Sequence, residues 1–311
     1  MTRIAVTSRS FSRHRVLRRE LLDRYPDVTF NDEGISLKGD LLIEFLKGHE
    51  RAVTALEKLD DGLFAALPEL KIISKYGVGI DMIDLEAMAR HGVRLGWTGG
   101  VNRRSVSELV ISMAIALLRH VPAAHREVLD GVWRQHVGRQ LSGKTVGIIG
   151  CGHVGKDLGP LLNAFGCLVL AHDILDFPEF YRANNVRPLS LDELLARSDI
   201  VTLHLPLDDT TRNILSRDKL ALMKSDAVLI NAARGGLVDE TALKQRLIEG
   251  KLAAAGFDVF AVEPPDDTEL LSLPNFLVTP HIGGSAEEAI LAMGRAAIAG
   301  LDNAGDPLKQ G

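Results

Sequence analysis

From Thr145 onward, apolar runs recur at 145 to 150, 168 to 172, 199 to 205, 227 to 232, 254 to 259 and 276 to 279. They are apolar throughout instead of alternating, the pattern of strands buried on both faces of a parallel sheet. Helical segments separate most of them, including Asp192 to Ala196, Arg217 to Met223 and Glu240 to Glu249. The first hundred residues alternate shorter pieces: strands at Ile4 to Thr7 and Lys71 to Ser74, and helices near Val16 to Leu22, Asp40 to Leu46, Leu63 to Ala66 and Ile80 to Arg90. Ser105-Val106-Ser107-Glu108 has capping-box spacing and introduces a long, mostly buried helix through Leu118, able to carry the chain from one domain to another. A last helix, Ala286 to about Leu301, is expected to cross back. The pattern predicts an α/β protein of two doubly wound, flavodoxin/Rossmann-like parallel-sheet domains with a cleft between them. One is expected at 1–98, completed by 282–311, and the other at 99–281.

A chain of 311 residues with 46% hydrophobic content can build two such cores. Its net charge of −5 gives no general attraction to nucleic acid or to an anionic membrane. One local exception is Arg9, Arg13, Arg15, Arg18 and Arg19, which read as a solvated helix face or, alternatively, a binding patch. Cys151 and Cys167 are too few for a disulfide framework, which points to a reducing cytoplasm. No leader segment is visible, and the longest apolar run, around Leu109 to Leu118, is short of a membrane span, so a soluble protein is expected.

In TVGIIGCGHVG a β-branched run ends at Gly150, Gly152 and Gly155. The first glycine suits a tight turn, the second a close approach of backbone to a pyrophosphate, and the third close packing of the next helix on its strand. That helix N-terminus favours phosphate charge, and His153 would meet it through its backbone. The run Leu168 to Leu170 leads to Asp173, placed to bind an adenosine ribose 2′-OH and to repel a 2′-phosphate, so NAD is expected over NADP. Gly159 and Pro160 fall inside the helix expected from His153 to about Phe165, and a kink or a short first segment is predicted there.

Three polar residues close later apolar stretches: Arg234 after AVLINAA, Glu263 five residues past Asp258, and His281 after FLVTP. An Arg can hold a carboxylate through its planar fork, a His moves a proton near neutral pH, and a Glu beside the His would fix its tautomer. These are the parts needed to oxidise or reduce a small 2-hydroxy acid. Taken singly, each has an ordinary alternative: Arg234 opening a helix-like segment, Glu263 in a loop before two prolines, His281 capping a turn. The turn Tyr76-Gly77-Val78-Gly79 reads either as an anion nest suited to a carboxylate or as a plain strand-helix turn. His120, His125 and His136 lack partners at metal-ligand spacing, and no metal is expected. No chemistry is assigned to them or to His172 and His204, the last two of which lie at strand ends beside the expected cofactor edge.

Together these motifs resemble the D-isomer-specific 2-hydroxyacid dehydrogenase family, which includes phosphoglycerate dehydrogenase. The resemblance runs through SKYGVGID at 74–81, NRRSVSEL at 102–109, GIIGCGHVG at 147–155, NAARGGLVDE at 231–240, GFDVFAVEPP at 256–265 and PHIGGSAEEA at 280–289. It implies an NAD-dependent oxidoreductase in which Arg234 binds the substrate carboxylate, His281 is the acid and base, and Glu263 pairs with His281. It implies that Lys75, Tyr76, Val78 and Gly79 line the substrate site. The cofactor is expected at Gly150, Gly152, His153, Val154, Gly155, Asp173, His204, Pro206, Ala232, Gly283 and Gly284, with Asp258 accepting from the nicotinamide carboxamide. A homodimer is implied, through the long helix after Ser105 and the arm containing Trp133.

The substrate is implied only as a small anionic 2-hydroxy or 2-oxo acid. Lys75 stands where phosphoglycerate dehydrogenases carry a phosphate-holding Arg, and Arg103 and Arg104 lie on the linking segment. Yet Val53-Thr54-Ala55-Leu56 has no cation, and Tyr76 is larger than the family's residue there. Two other readings share the catalytic trio: a corepressor-like NAD-sensing interaction protein and a phosphite-type dehydrogenase.

Overall fold

The computed structural model describes residues 2–309 and divides into two compact units. The first takes the chain up to Asn102 and again from Ala286; the second is Arg103–Ser285. The crossings therefore fall at Asn102/Arg103 and Ser285/Ala286.

The first unit holds five parallel strands, β1 (Ile4–Val6), β2 (Val28–Phe30), β3 (Arg51–Thr54), β4 (Ile72–Lys75) and β5 (Arg94–Gly96), in the order β2-β1-β3-β4-β5. This is the flavodoxin-like order, with its switch point between β1 and β3. The final helix, Glu287–Gly300, packs on β4 and β5, where Ser74 Oγ donates to the Ala297 carbonyl at 2.6 Å. A Cβ on Gly96 would lie 2.2 Å from the Gly300 carbonyl oxygen, so only glycine permits this approach. The helix expected over Ile80 to Arg90 is shorter, Leu85–Arg90, because the Asp84 side chain caps it by accepting from Ala87 N at 2.8 Å. In the arginine-rich segment Arg18 pairs with Asp32 and stacks over Phe30.

The second unit holds seven parallel strands, β6 (Thr145–Ile149), β7 (Leu168–His172), β8 (Val186–Pro188), β9 (Ile200–Leu203), β10 (Val228–Asn231), β11 (Ala254–Phe257) and β12 (Phe276–Val278). Their order, β12-β11-β10-β9-β6-β7-β8, reverses between β6 and β9, which is the Rossmann arrangement with its ligand crevice at the carboxyl ends of those two strands. The strands from β6 to β12 other than β8 are the six apolar runs read from the sequence.

Two expectations for this unit change. The helix Arg103–Leu118 begins before Ser105, so Ser105 is no cap; from inside the helix its hydroxyl donates to the Gly283 carbonyl at 2.6 Å. The helix His153–Ala164 is continuous through Pro160, so the short first segment, one of the two expected outcomes, does not form. Pro160 is exposed, and Lys156, whose carbonyl loses its helical partner to the proline, is itself partly exposed. Among the described residues no single helix is long and apolar enough to cross a membrane.

Candidate active site

The second unit gathers its polar residues at the carboxyl ends of its strands. After β6 the glycine loop turns at Gly150, with φ 96°. A Cβ there would lie 2.6 Å from the His204 carbonyl oxygen, and one on Gly155 would lie 2.2 Å from the Gly150 carbonyl oxygen. Those two glycines are required by the protein's own packing. A Cβ on Gly152 would meet no heavy atom within 4 Å, so this glycine leaves open space at the loop, as the expected pyrophosphate contact needs. His153 and Val154 form the first turn of the following helix, His153 exposed and Val154 packed on the core.

Asp173, just past β7, accepts from Cys151 N at 2.6 Å and Leu175 N at 2.8 Å. Its carboxylate is thereby fixed beside the glycine loop, the position expected of a ribose contact. After β9, His204 Nε2 meets Thr202 Oγ1 at 3.0 Å, while its Nδ1 is buried with no partner among the described residues. The residue keeps a partly exposed surface, yet burial of the ring lowers its pKa to about 3. An enclosed, unpaired nitrogen next to the loop fits a site completed by a polar ligand. Pro206 lies exposed in the next loop, and Ala232 lies half-buried after β10.

Three further loops, after the adjacent strands β10, β11 and β12, carry the expected catalytic residues. Arg234 is in the β10 loop and does not open a helix; the next one begins at Glu240. Asn231 holds the start of this loop, donating to the Arg234 carbonyl at 2.8 Å and accepting from Ala233 N at 3.2 Å. A Cβ on Gly235 would lie 1.9 Å from the Phe260 carbonyl carbon and oxygen, so the Arg234 loop lies directly on the segment that leads to Glu263.

That segment is anchored by the Phe260 ring, which packs with Phe257 and Phe276 at centroid distances of 5.9 and 6.2 Å. Glu263 Oε1 accepts from Phe260 N at 3.1 Å and Oε2 meets His281 Nδ1 at 2.9 Å. Glu240 accepts from Ala261 N at 3.1 Å and clamps the same loop; burial, with the nearby Asp267, raises its pKa. With Nδ1–H donated to Glu263, Nε2 is the His281 nitrogen left to exchange a proton with a substrate.

His281 has φ 54°, a left-handed conformation that a non-glycine residue adopts only when its surroundings impose it. Here Asp258 imposes it. Its carbonyl accepts from His281 N at 2.9 Å, and its carboxylate, 1% exposed, accepts from Thr279 Oγ1 at 2.5 Å, Ile282 N at 2.7 Å and Gly283 N at 2.7 Å. A carboxylate has about four lone-pair sites, so roughly one remains for the carboxamide expected there. The main work of Asp258 is to hold the histidine loop, and Gly283 sits against it because a Cβ would lie 3.0 Å from Oδ2. Gly284 follows in the same loop. Sequence reasoning missed Asn231, Thr279 and Glu240, which act across turns and on distant backbone and leave no local signal.

The first unit carries the remaining candidates. Tyr76 is a core residue: 8% exposed, its ring meets Phe11 edge-on at 5.3 Å, and burial raises its pKa. It can contribute to the turn mainly through its backbone. Lys75 is 3% exposed and its ammonium donates to the Ala55 carbonyl, so it supports the turn from within. Val78 and Gly79 are half-buried in the turn itself. Arg104, in the second unit, is committed to a two-pronged pair with Asp157 at 2.9 and 3.0 Å, with Arg103 3.9 Å from the same carboxylate.

The family described as "D-isomer specific 2-hydroxyacid dehydrogenase, NAD binding domain" matches residues 111–283. The chain belongs to the D-isomer-specific 2-hydroxyacid dehydrogenases. It is 38% identical to a hydroxypyruvate reductase of Thermotoga maritima over 246 residues, 76% of this chain and 78% of that protein. It is 38% identical to a D-3-phosphoglycerate dehydrogenase of Methanocaldococcus jannaschii over 260 residues, 83% of this chain; the match spans 50% of that longer protein. A D-lactate dehydrogenase from Aquifex aeolicus, solved with NAD and lactic acid, superposes with a TM-score of 0.82 at 25% identity, covering 95% of this chain and 93% of that one. The chain is thus an NAD-dependent oxidoreductase by family, and the corepressor-like and phosphite-type readings are not favoured.

Proposed function

We propose that this chain interconverts a small 2-oxo acid and its D-2-hydroxy acid, with Arg234, Glu263 and His281 as the working residues. The observation that carries the assignment is the 2.9 Å pairing of His281 Nδ1 with Glu263, whose loop is packed against the one that carries Arg234. When bound, NADH supplies the hydride that C2 of the oxo acid receives. Arg234 holds the carboxylate and polarises the C2 carbonyl. His281 Nε2 gives its proton to the carbonyl oxygen as that oxygen becomes a hydroxyl, and takes it back in the oxidative direction. Asp258 keeps the His281 loop in its left-handed turn, and within the first unit the Val78–Gly79 turn is the proposed anion nest for a carboxylate.

The test is loss of NADH absorbance against glyoxylate, hydroxypyruvate, phosphohydroxypyruvate, 2-oxoglutarate and phosphonopyruvate, repeated with NADPH. Turnover of one acid with NADH preferred supports the proposal and names the substrate. Silence across the panel with NADH bound would reject it.

We further propose a homodimer in a reducing compartment such as the cytoplasm. The helix Val121–Leu129 has no buried residue, and beyond it Trp133 is 86% and Val137 94% exposed, an apolar run that a second copy would cover. Cys151 and Cys167 are both buried free thiols. Sedimentation of the wild type against Trp133→Asp tests the dimer: the variant should run as a monomer, and two species of equal size would contradict the assignment.

A further inference from the structure

The indole Nε1 of Trp97 donates to the Val78 carbonyl at 2.8 Å. In a trans peptide the carbonyl of one residue and the N–H of the next point in opposite directions. Holding the Val78 carbonyl therefore aims the Gly79 N–H away from Trp97. Among the described residues neither the Val78 N–H nor the Gly79 N–H has a protein partner. The ring of Trp97 is itself packed against the hydrophobic core of its unit, so the direction of the indole N–H is fixed by packing.

A second observation gives the turn its charge preference. A Cβ on Gly77, at φ 127°, would lie 3.6 Å from the Lys75 ammonium. A buried cation thus lies close to Gly77, in a turn whose Val78 and Gly79 N–H groups have no protein partner among the described residues, and such a turn favours an anion.

We propose that Trp97 is a positioning residue for substrate: by pinning the Val78 carbonyl it presents the Gly79 N–H to the carboxylate of the 2-oxo acid. This rests on the reading of the Val78–Gly79 turn as the carboxylate site. Trp97 touches neither substrate nor cofactor in this account. Its effect is on binding of the acid and not on hydride or proton transfer.

Trp97→Phe keeps the ring and removes the N–H. The expected result is a KM for the 2-oxo acid raised about tenfold, with kcat and the NADH dissociation constant unchanged. An unchanged KM, or a rise in KM accompanied by equal losses in kcat, NADH affinity and Tm, would overturn the proposal, the latter by showing a role in folding alone. Spectroscopy gives an independent readout, because the chain has two tryptophans and Trp133→Phe leaves Trp97 as the sole indole. Oxalate added to the NAD-saturated W133F protein should change Trp97 emission saturably; a flat emission with oxalate bound would contradict the proposal. If W97F keeps its KM while Arg234→Lys raises it, the inference about Trp97 fails and the functional reading stands. If no 2-oxo acid is reduced by the wild type, the functional reading itself has failed.

Discussion

At the carboxyl edge of the seven-stranded sheet the candidate reactive groups are side chains, carried on loops that buried polar side chains and backbone hold together; at the same edge of the five-stranded sheet the candidate groups are backbone N–H groups, and side chains hold the turn that carries them. His281 and Glu263 are fixed by the Asp258 carbonyl and Phe260 N. The Val78–Gly79 turn is fixed by Trp97 and underlain by Lys75. Proton transfer needs an ionisable group with its geometry imposed from outside. Binding a carboxylate needs only oriented dipoles, which a turn supplies once its carbonyls are committed elsewhere.

The comparison breaks most readily at Gly235. Its replacement by Ala puts a methyl 1.9 Å from the Phe260 carbonyl, so the Arg234 and Glu263 loops must separate. We expect kcat to fall by about a hundredfold or more and stability by roughly 2 kcal/mol; normal turnover at a normal Tm would show that the two loops need not touch.

Asp173 sharpens the account of the cofactor edge. Asp173→Ala should raise the NADPH to NADH preference ratio about tenfold, by removing a negative charge from beside the ribose. Steady-state rates with both cofactors check it, and a constant ratio would mean that another group selects NAD.

A smaller effect is expected at His204, whose pKa burial lowers to about 3 from an ordinary 6.5. Between those values the unfolded chain takes up a proton that the folded chain refuses, so this residue costs stability as pH falls from 6.5 toward 3. His204→Asn should flatten the fall in urea midpoint over that window. A slope identical to wild type would mean that the ring is not held neutral.

The sequence exposed what is written in local pattern. Strands buried on both faces read as apolar runs, and the glycine loop read from its spacing, because the constraint on each residue comes from its neighbours. Short edge strands escaped: β8 is Val186-Arg187-Pro188 with two exposed residues, and β2 is half-buried throughout. The helix Val121–Leu129 escaped as well: its residues are amphipathically arranged, yet none of its side chains is buried in this chain's own core. The site divides in the same way. Arg234, Glu263 and His281 stand out as polar residues closing apolar runs, whereas the bonds of Asp258 to Thr279, Ile282 and Gly283 join positions 21 to 25 residues apart. Burial of Lys75 and Tyr76 was equally invisible, since both lie in a motif that reads as an exposed turn.

The most direct test of the central claim is single-turnover oxidation of bound NADH by the preferred 2-oxo acid, in the wild type and in His281→Asn. The account predicts that the variant loses about 10²- to 10⁴-fold in rate while binding NADH as before. Equal rates in the two proteins would remove His281 from the chemistry and contradict the proposed site.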